Sequence, residues 1–420
     1  MASHQSEDAQ IPPVLDRRIS ARAQSVPASK IRRMFNLAEP MADVVSLAIG
    51  QPDFPTPAHI VAAAKAAMDR GHTRYTHGLG IPELRAAIAE KVRARNGLLV
   101  DPDCVAVTVG AMEGLILTLL TTLDAGDEVL IPNPGYTNFM GQVLLVGATP
   151  ISYPVDPPDF QIDIAALRAC ITERTRVIIL CTPANPTGAV LSRDNLDQVA
   201  AVAREHDLLA LSDETYEALV YDGQHVSIGA LPGMLDSTVS VFSFSKAYAM
   251  TGWRIGYVVA PHDLIQTMSV LQENVVSCAS SVSQYAALAA LEGPQTCVQE
   301  MLDIYNQRRH YMVGALNQMD GVQCPMPSGA FYAFPDISQL SASSDALADQ
   351  LLLQAHVATV PGTAFNTRGE GFLRLSYATS MDALQEAMER LHAAIQPIHD
   401  ANLAGHDRLH SGEGGSYQPV

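Results

Sequence analysis

Residues 239–254 read Val-Ser-Val-Phe-Ser-Phe-Ser-Lys-Ala-Tyr-Ala-Met-Thr-Gly-Trp-Arg. The short apolar run from Val239 to Phe244 predicts a buried strand, and Ser245 and Lys246 stand directly beyond its carboxyl end. Ligands bind beyond the carboxyl ends of strands in open parallel sheets, so a lysine at that point sits at a site mouth. The chain has four lysines in all, Lys30, Lys65, Lys91 and Lys246. Partial burial there lowers an ammonium pKa and makes the amine nucleophilic.

Working outward, further bounded apolar runs predict strands at Val105–Val109, Glu128–Ile131, Val177–Cys181, Leu208–Ser212 and Tyr257–Ala260. Helical periodicity alternates with them at Ala58–Arg70, Pro82–Asn96, Met112–Leu123, Asp194–His206 and Ser281–Leu291. Strands joined by crossover helices make an α/β core with a largely parallel sheet. From about Cys297 the pattern changes to a long helix through Met319, the segment Gly329–Pro335, a helix near Ala346–His356, Arg374–Tyr377 and a closing helix to about Ile395, which fits a smaller α+β lobe. The expected organisation is a flexible terminus over 1–13, an arm and part of the small domain over 14–57, a large domain over 58–296, a small domain over 297–397 and a flexible tail over 398–420.

Composition narrows the function classes. With 26 basic and 44 acidic side chains over 420 residues the net charge is −18, which repels phosphate backbones and anionic lipid. No apolar run is long enough to span a bilayer, and residues 1–13 lack the apolar core of a secretory signal, so a cytoplasmic protein without nucleic-acid or membrane partners is expected. The six cysteines show no CxxC pair and read as reduced, mostly buried thiols, and the histidines include no HExxH, so no protein-bound metal is expected. The basic stretch Arg17–Arg33, with six Arg or Lys and no acid, reads as a structural or site-proximal arm.

Two other strand ends carry capable groups: Asn185-Pro-Thr-Gly follows Cys181, while Asp213 and Tyr216 follow Ser212. Taken singly, these are a turn and a helix cap. Val109 runs into Gly110-Ala111-Met112-Glu113-Gly114 and a helix, whose first N–H groups face the same sheet edge and suit a phosphate. An amine, a carboxylate, a phenol, a phosphate cradle and Arg254 are together the parts that hold and tune pyridoxal phosphate.

On these motifs, with Gly50-Gln-Pro-Asp-Phe54, Tyr75, Gly80-Ile-Pro-Glu-Leu-Arg85, Gly329-Ala-Phe-Tyr332 and Leu373-Arg-Leu-Ser-Tyr377, the chain resembles the fold-type I aminotransferases of class I and II over residues 25 to 396. The resemblance implies a mixed, mostly parallel seven-stranded sheet sandwiched by helices, plus a smaller α+β domain formed by both chain ends. It implies that Lys246 bonds the cofactor aldehyde and acts as the base, that Asp213 keeps the pyridine nitrogen protonated, and that Tyr216 and Asn185 hydrogen-bond the ring oxygen. Tyr136 would stack on the ring. Ser243, Ser245 and Arg254, with the loop at Ala111 and Met112, would hold the phosphate. Arg374 would clamp the substrate carboxylate, Asn185 and Gly50 would contact substrate, and Tyr75 would reach the phosphate of a neighbouring subunit in a homodimer with shared sites. The implied activity is amino transfer between an L-amino acid (aspartate, aromatic or other) and a 2-oxo acid by a ping-pong mechanism through pyridoxamine phosphate. The alternative is β/γ-elimination or cyclisation of an amino acid or sulfonium substrate on the same fold. Met112 stands where relatives often carry a polar or charged residue. No arginine marks itself as reading the substrate side chain: Arg22, Arg32, Arg33 or Arg74 could reach the pocket, and spacing does not decide among them.

Overall fold

The computed structural model describes residues 18–411. The large sheet consists of β1 (Val105–Thr108), β2 (Glu128–Asn133), β3 (Thr149–Pro154), β4 (Thr175–Cys181), β5 (Leu209–Asp213), β6 (Thr238–Ser243) and β7 (Gly256–Val259), in the spatial order β1-β7-β6-β5-β4-β2-β3. Strands β2 to β6 run parallel, and β7 pairs antiparallel with both β6 and β1. Central strands are buried on both faces, so they read as apolar runs rather than as alternating patterns.

The period of two still decides which core each residue enters. Val177 and Ile179 of β4 join Leu211, Val239 and Val241 on one face, whereas Ile178 and Leu180 join Ala210 on the other. Helices Ala111–Thr122, Thr137–Val146 and His262–Val275 cover the first face. Helices Ala58–Asp69, Pro82–Asn96, Arg193–Glu205 and Ser281–Glu292 cover the second. Each fully buried aliphatic side chain here contributes roughly 1.5–3 kcal/mol relative to exposure.

A second core gathers Met34 and Leu47 from near the start of the chain with Phe331, Val357, Leu375 and Leu391 from its last quarter. Val45–Ser46 pairs in parallel with Val357–Ala358, which joins the two ends of the chain in one small sheet. Beside it, β8 (Tyr332–Ala333), β9 (Val360–Pro361) and β10 (Leu373–Ser376) form an antiparallel sheet with β10 in the middle. The expected basic arm is structural: on the helix Lys30–Ala38, Lys30 pairs with Asp345 at 2.7 Å and Arg33 with Asp349 at 2.7 Å.

Three expectations are corrected. The strand β6 stops at Ser243, and Phe244 opens a four-residue helix to Ala247, because the Ser243 hydroxyl accepts the Ser245 N–H and turns the chain. The tail expected from residue 398 is helical to Ser411, with Asn402 Nδ2 donating to the carbonyls of Gln339 (3.1 Å) and Leu340 (2.9 Å). Residues 412–420 and the expected flexible start over 1–13 lie outside the described residues. All six cysteines are free thiols, but only Cys181 and Cys324 are buried, since the other four sit at helix ends and strand edges. Among the described residues, no helix is long and apolar enough to cross a membrane.

Candidate active site

The carboxyl ends of β4, β5 and β6 lie side by side, with Cys181 in register with Asp213 and Asp213 with Val241. The chain leaving each strand bends into one cavity of about 380 Å³, closed on the far side by Gly50, Tyr332 and Arg374. Lys246 enters it from the short helix after β6. Its Nζ donates to the Gly50 carbonyl at 2.6 Å, a neutral acceptor rather than a carboxylate. The amine also lies 5.9 Å from the Tyr216 ring centroid and 5.7 Å from that of Phe331. Burial, followed by the positive charges of Arg374 and Arg254, lowers its pKa from 10.5 to about 8, with Asp213 opposing.

Gly50 is required where it stands, because a Cβ there would come within 2.0 Å of the Tyr332 hydroxyl oxygen. That hydroxyl lies 2.8 Å from the hydroxyl of Tyr216. Asp213 ends β5 with its carboxylate buried, accepting the Thr215 N–H at 3.1 Å and the Thr215 hydroxyl at 2.6 Å. Burial nonetheless raises its pKa above the ordinary carboxylate value.

Arg374 is 1 % exposed in the middle of β10. One Nη donates to Asn185 Oδ1 at 3.2 Å and the other to the carbonyl of Ala48. The guanidinium lies 4.6 Å over the Tyr332 ring and 5.1 Å from the Phe365 ring centroid, and its Nε has no partner. Burial lowers its pKa. A buried cation whose partners are an amide and a carbonyl is a built receptor for an incoming carboxylate.

At the other end of the cavity, Gly110 adopts φ +75° and opens the helix Ala111–Thr122 without a side-chain cap. Arg254, itself left-handed at φ 51° and ψ 58°, donates to the carbonyls of Thr251 (3.0 Å) and Val109 (3.4 Å), so its guanidinium lies over that helix start. A Cβ at Gly110 would come within 2.6 Å of Arg254 Nη2. Ala111, Ser243 and Ser245 line the same end. Tyr136 and Met112 form a wall, where the Met112 thioether accepts from Asn138 Nδ2 at 3.5 Å and the Tyr136 hydroxyl at 3.9 Å. Burial raises the Tyr136 hydroxyl pKa strongly.

The cavity thus brings together every residue given a cofactor or substrate role from the sequence except Tyr75, which is 88 % exposed and outside it; Arg22, Arg32, Arg33 and Arg74 do not line it either. It also admits Ile31, Ile49, Gln51, Thr215, Thr251 and Tyr332, to which no role had been assigned. Thr215 and Tyr332 sit inside quoted motifs and were within reach of the sequence. Ile31 gave no signal, because helix packing across the molecule decides which side of Lys30–Ala38 meets the cavity.

These residues fit pyridoxal phosphate on their own chemistry. A guanidinium over an uncapped helix start, kept open by a glycine, suits a phosphate. Burial raises the Asp213 pKa, and a protonated ring nitrogen beside it would offset that desolvation.

The profile of the family described as aminotransferase class I and II matches residues 42–391. The chain is 42% identical to an aspartate aminotransferase of Pyrococcus abyssi, over 90% of this chain and 98% of that protein. It is 41% identical to the aromatic-amino-acid aminotransferase 2 of Thermococcus litoralis, with the same coverage of 90% and 98%. The crystal structure of an aromatic aminotransferase from Pyrococcus horikoshii superposes with a TM-score of 0.83 at 40% identity, covering 87% of this chain and 99% of that one.

Proposed function

The chain belongs to the class I and II aminotransferases and is a pyridoxal-phosphate-dependent transferase that moves an amino group between amino and 2-oxo acids, and from that premise we propose how its own side chains divide the work. When bound, the cofactor supplies an aldehyde that takes the amine and a protonated ring that withdraws electrons from the neighbouring carbon. Lys246 would hold it covalently at rest and, once displaced, would take up the proton at the substrate Cα. A pKa of about 8 lets the same Nζ accept and return a proton near neutral pH. The Gly50 carbonyl, 2.6 Å away, aims the amine.

Asp213 would keep the ring nitrogen protonated, Tyr216 and Asn185 would donate toward the ring oxygen, and Tyr136 would cover the ring face. Arg254, Ser243, Ser245 and the helix start at Ala111 and Met112 hold the phosphate. Arg374 orients the substrate carboxylate, and Asn185, hydrogen-bonded to it, fixes the guanidinium. The observation that carries this reading is one cavity whose amine, acid and two guanidiniums, Arg374 buried and Arg254 exposed, all lack the charge partners that a cofactor phosphate, a ring nitrogen and a substrate carboxylate would provide.

The reading includes a homodimer with a shared site. Tyr75 is supported as a residue given to a neighbour by its 88 % exposure. Val270, Val275 and Val276, exposed on a segment that brings Ser269 and Ser277 close to Gly78, add apolar surface beside it. The reading also divides the chain at 58–296 for the cofactor domain and 297–397 for the small one, the latter supported by a core drawn mostly from its own residues and joined by Phe160, Ala189, Tyr216, Leu219 and Ala249 of the former. Six unpaired thiols support a reducing, cytoplasmic location.

Replacing Arg374 by alanine tests the assignment. The cofactor absorbance should persist, while kcat/KM for amino acids falls at least about 100-fold, equivalent to ~2.7 kcal/mol. An unchanged kcat/KM would remove Arg374 from the substrate site.

A further inference from the structure

Tyr332 lines the cavity and has no part in the division of work above. It stands on the short strand β8, opposite Ser376 of β10, and is 1 % exposed. Its hydroxyl lies 2.8 Å from that of Tyr216, and among the described residues neither hydroxyl has another partner. The Tyr216 ring meets two others edge-on, with centroids 5.7 Å from Tyr332 and 5.4 Å from Phe331. The Arg374 guanidinium lies 4.6 Å from the Tyr332 ring centroid. One side chain therefore touches both the phenol assigned to the cofactor's ring oxygen and the cation assigned to the substrate carboxylate. Both tyrosines are buried within this one chain, so a neighbouring subunit does not reach the pair.

The direction of the bond between the hydroxyls follows from counting hydrogens, since each carries one. If Tyr216 donated to Tyr332, the ring oxygen would lose a donor and the Tyr332 hydrogen would be buried without an acceptor. If Tyr332 donates to Tyr216, the Tyr216 hydrogen is free for the ring oxygen, and each bond polarises the next. Burial raises the pKa of both hydroxyls, so both keep their hydrogens. The other groups whose charge or titration reaches the pair are Arg374, Tyr136 and Cys181, with Lys246 Nζ 5.9 Å from the Tyr216 ring centroid.

We infer that Tyr332 is a positioning residue: its hydroxyl donates to Tyr216 and so aims the Tyr216 hydrogen at the cofactor's ring oxygen, while its ring face carries the Arg374 guanidinium. This rests on the amino-transfer reading and deepens it.

The test is pH titration of the holoenzyme's visible band, which reads the proton on the nitrogen joining Lys246 to the cofactor. A hydrogen bond given to the ring oxygen draws off negative charge that would hold that proton, so a weaker bond raises the midpoint. Tyr216→Phe should raise it by roughly one to two pH units, and Tyr332→Phe by about half a unit, the share that one bond lends the next. In the double variant the contribution of Tyr332→Phe should vanish, because its hydroxyl acts only through Tyr216. Tyr332→Phe keeps the ring beside Arg374 and should leave KM for amino acids within about twofold, whereas Tyr332→Leu removes the ring and should raise KM about fivefold. An unshifted midpoint in Tyr332→Phe, additive shifts in the double variant, or a KM raised equally by Phe and Leu would overturn the inference while leaving amino transfer intact. A reconstituted protein with no visible band would instead strike the amino-transfer reading itself.

Discussion

Two lysine–acid groupings lie on opposite sides of the segment Asp213–Glu217, and they are built to opposite rules. Behind it, Lys91 is ion-paired to Glu217, and both reach Asn96, whose amide donates to Glu217 Oε2 at 2.6 Å and to the Ser227 hydroxyl at 3.0 Å. Ser227 and His225, the latter at 2.7 Å, hold Glu214 in turn. Burial works to raise the Glu217 pKa, but Lys91 and His225 hold it below the ordinary value. In front, Lys246 leans on a carbonyl and Asp213 on a threonine, and burial moves both toward their neutral forms. The half-buried Lys91–Glu217 pair, its charges matched, anchors the chain; the front pair, with its charges unmatched, suits a ligand. Glu214, Glu217 and His225 also place ligand-type atoms within 4.8 Å of one another, yet the Lys91 ammonium already occupies that acidic corner. Alternate residues of one turn therefore serve anchoring and chemistry: Glu214 and Glu217 fix the backbone from which Asp213 and Tyr216 project.

The contrast is most exposed to attack at Asp213. Asp213→Asn should leave a folded protein that binds cofactor but turns over at least about 100-fold more slowly, since the front grouping loses the charge that completes it. Steady-state kinetics beside a thermal melt would show this, and normal turnover would erase the distinction.

The rear grouping should respond in the reverse sense. Lys91→Met strands a half-buried carboxylate and should cost about 1–3 kcal/mol of stability in urea titration, with turnover per folded molecule close to the parent. A variant as stable as the parent but inactive would transfer the chemistry to the wrong side of the segment.

The smallest expected effect lies in pH. The free amine of Lys246 titrates near 8 in the folded chain against 10.5 when unperturbed, so capture of cofactor by the apoprotein should accelerate as pH rises through about 8 and then level off. The unfolded chain binds the additional proton between those values, so apoprotein stability should gain with pH across the same interval. Lys246→Met should abolish that gain. A flat profile in the parent would mean the amine is not desolvated.

The front grouping was legible in the sequence because each of its members follows a strand end, where a local pattern carries three-dimensional meaning. Helices beginning at Ala58, Pro82 and Ser281 were legible to the residue for the same local reason. The rear grouping was not, since Lys91, Glu217 and His225 are scattered across 135 positions and only helix packing brings them together. The strand Thr149–Pro154 also escaped reading: it lies at the sheet edge with Thr149 exposed, and so lacks the apolar run that marks its neighbours. The face that the helix Lys30–Ala38 turns to the cavity escaped for a different reason. Ile31 and Lys30 are adjacent in sequence, but the ion pair to Asp345 decides which of them turns outward.

Borohydride reduction of the holoenzyme, followed by proteolysis and mass spectrometry, tests the central claim most directly. The account places a stable phosphopyridoxyl adduct on the peptide containing Lys246 and on none containing Lys30, Lys65 or Lys91. An adduct on another lysine, or a colourless protein with none after reconstitution, would contradict it.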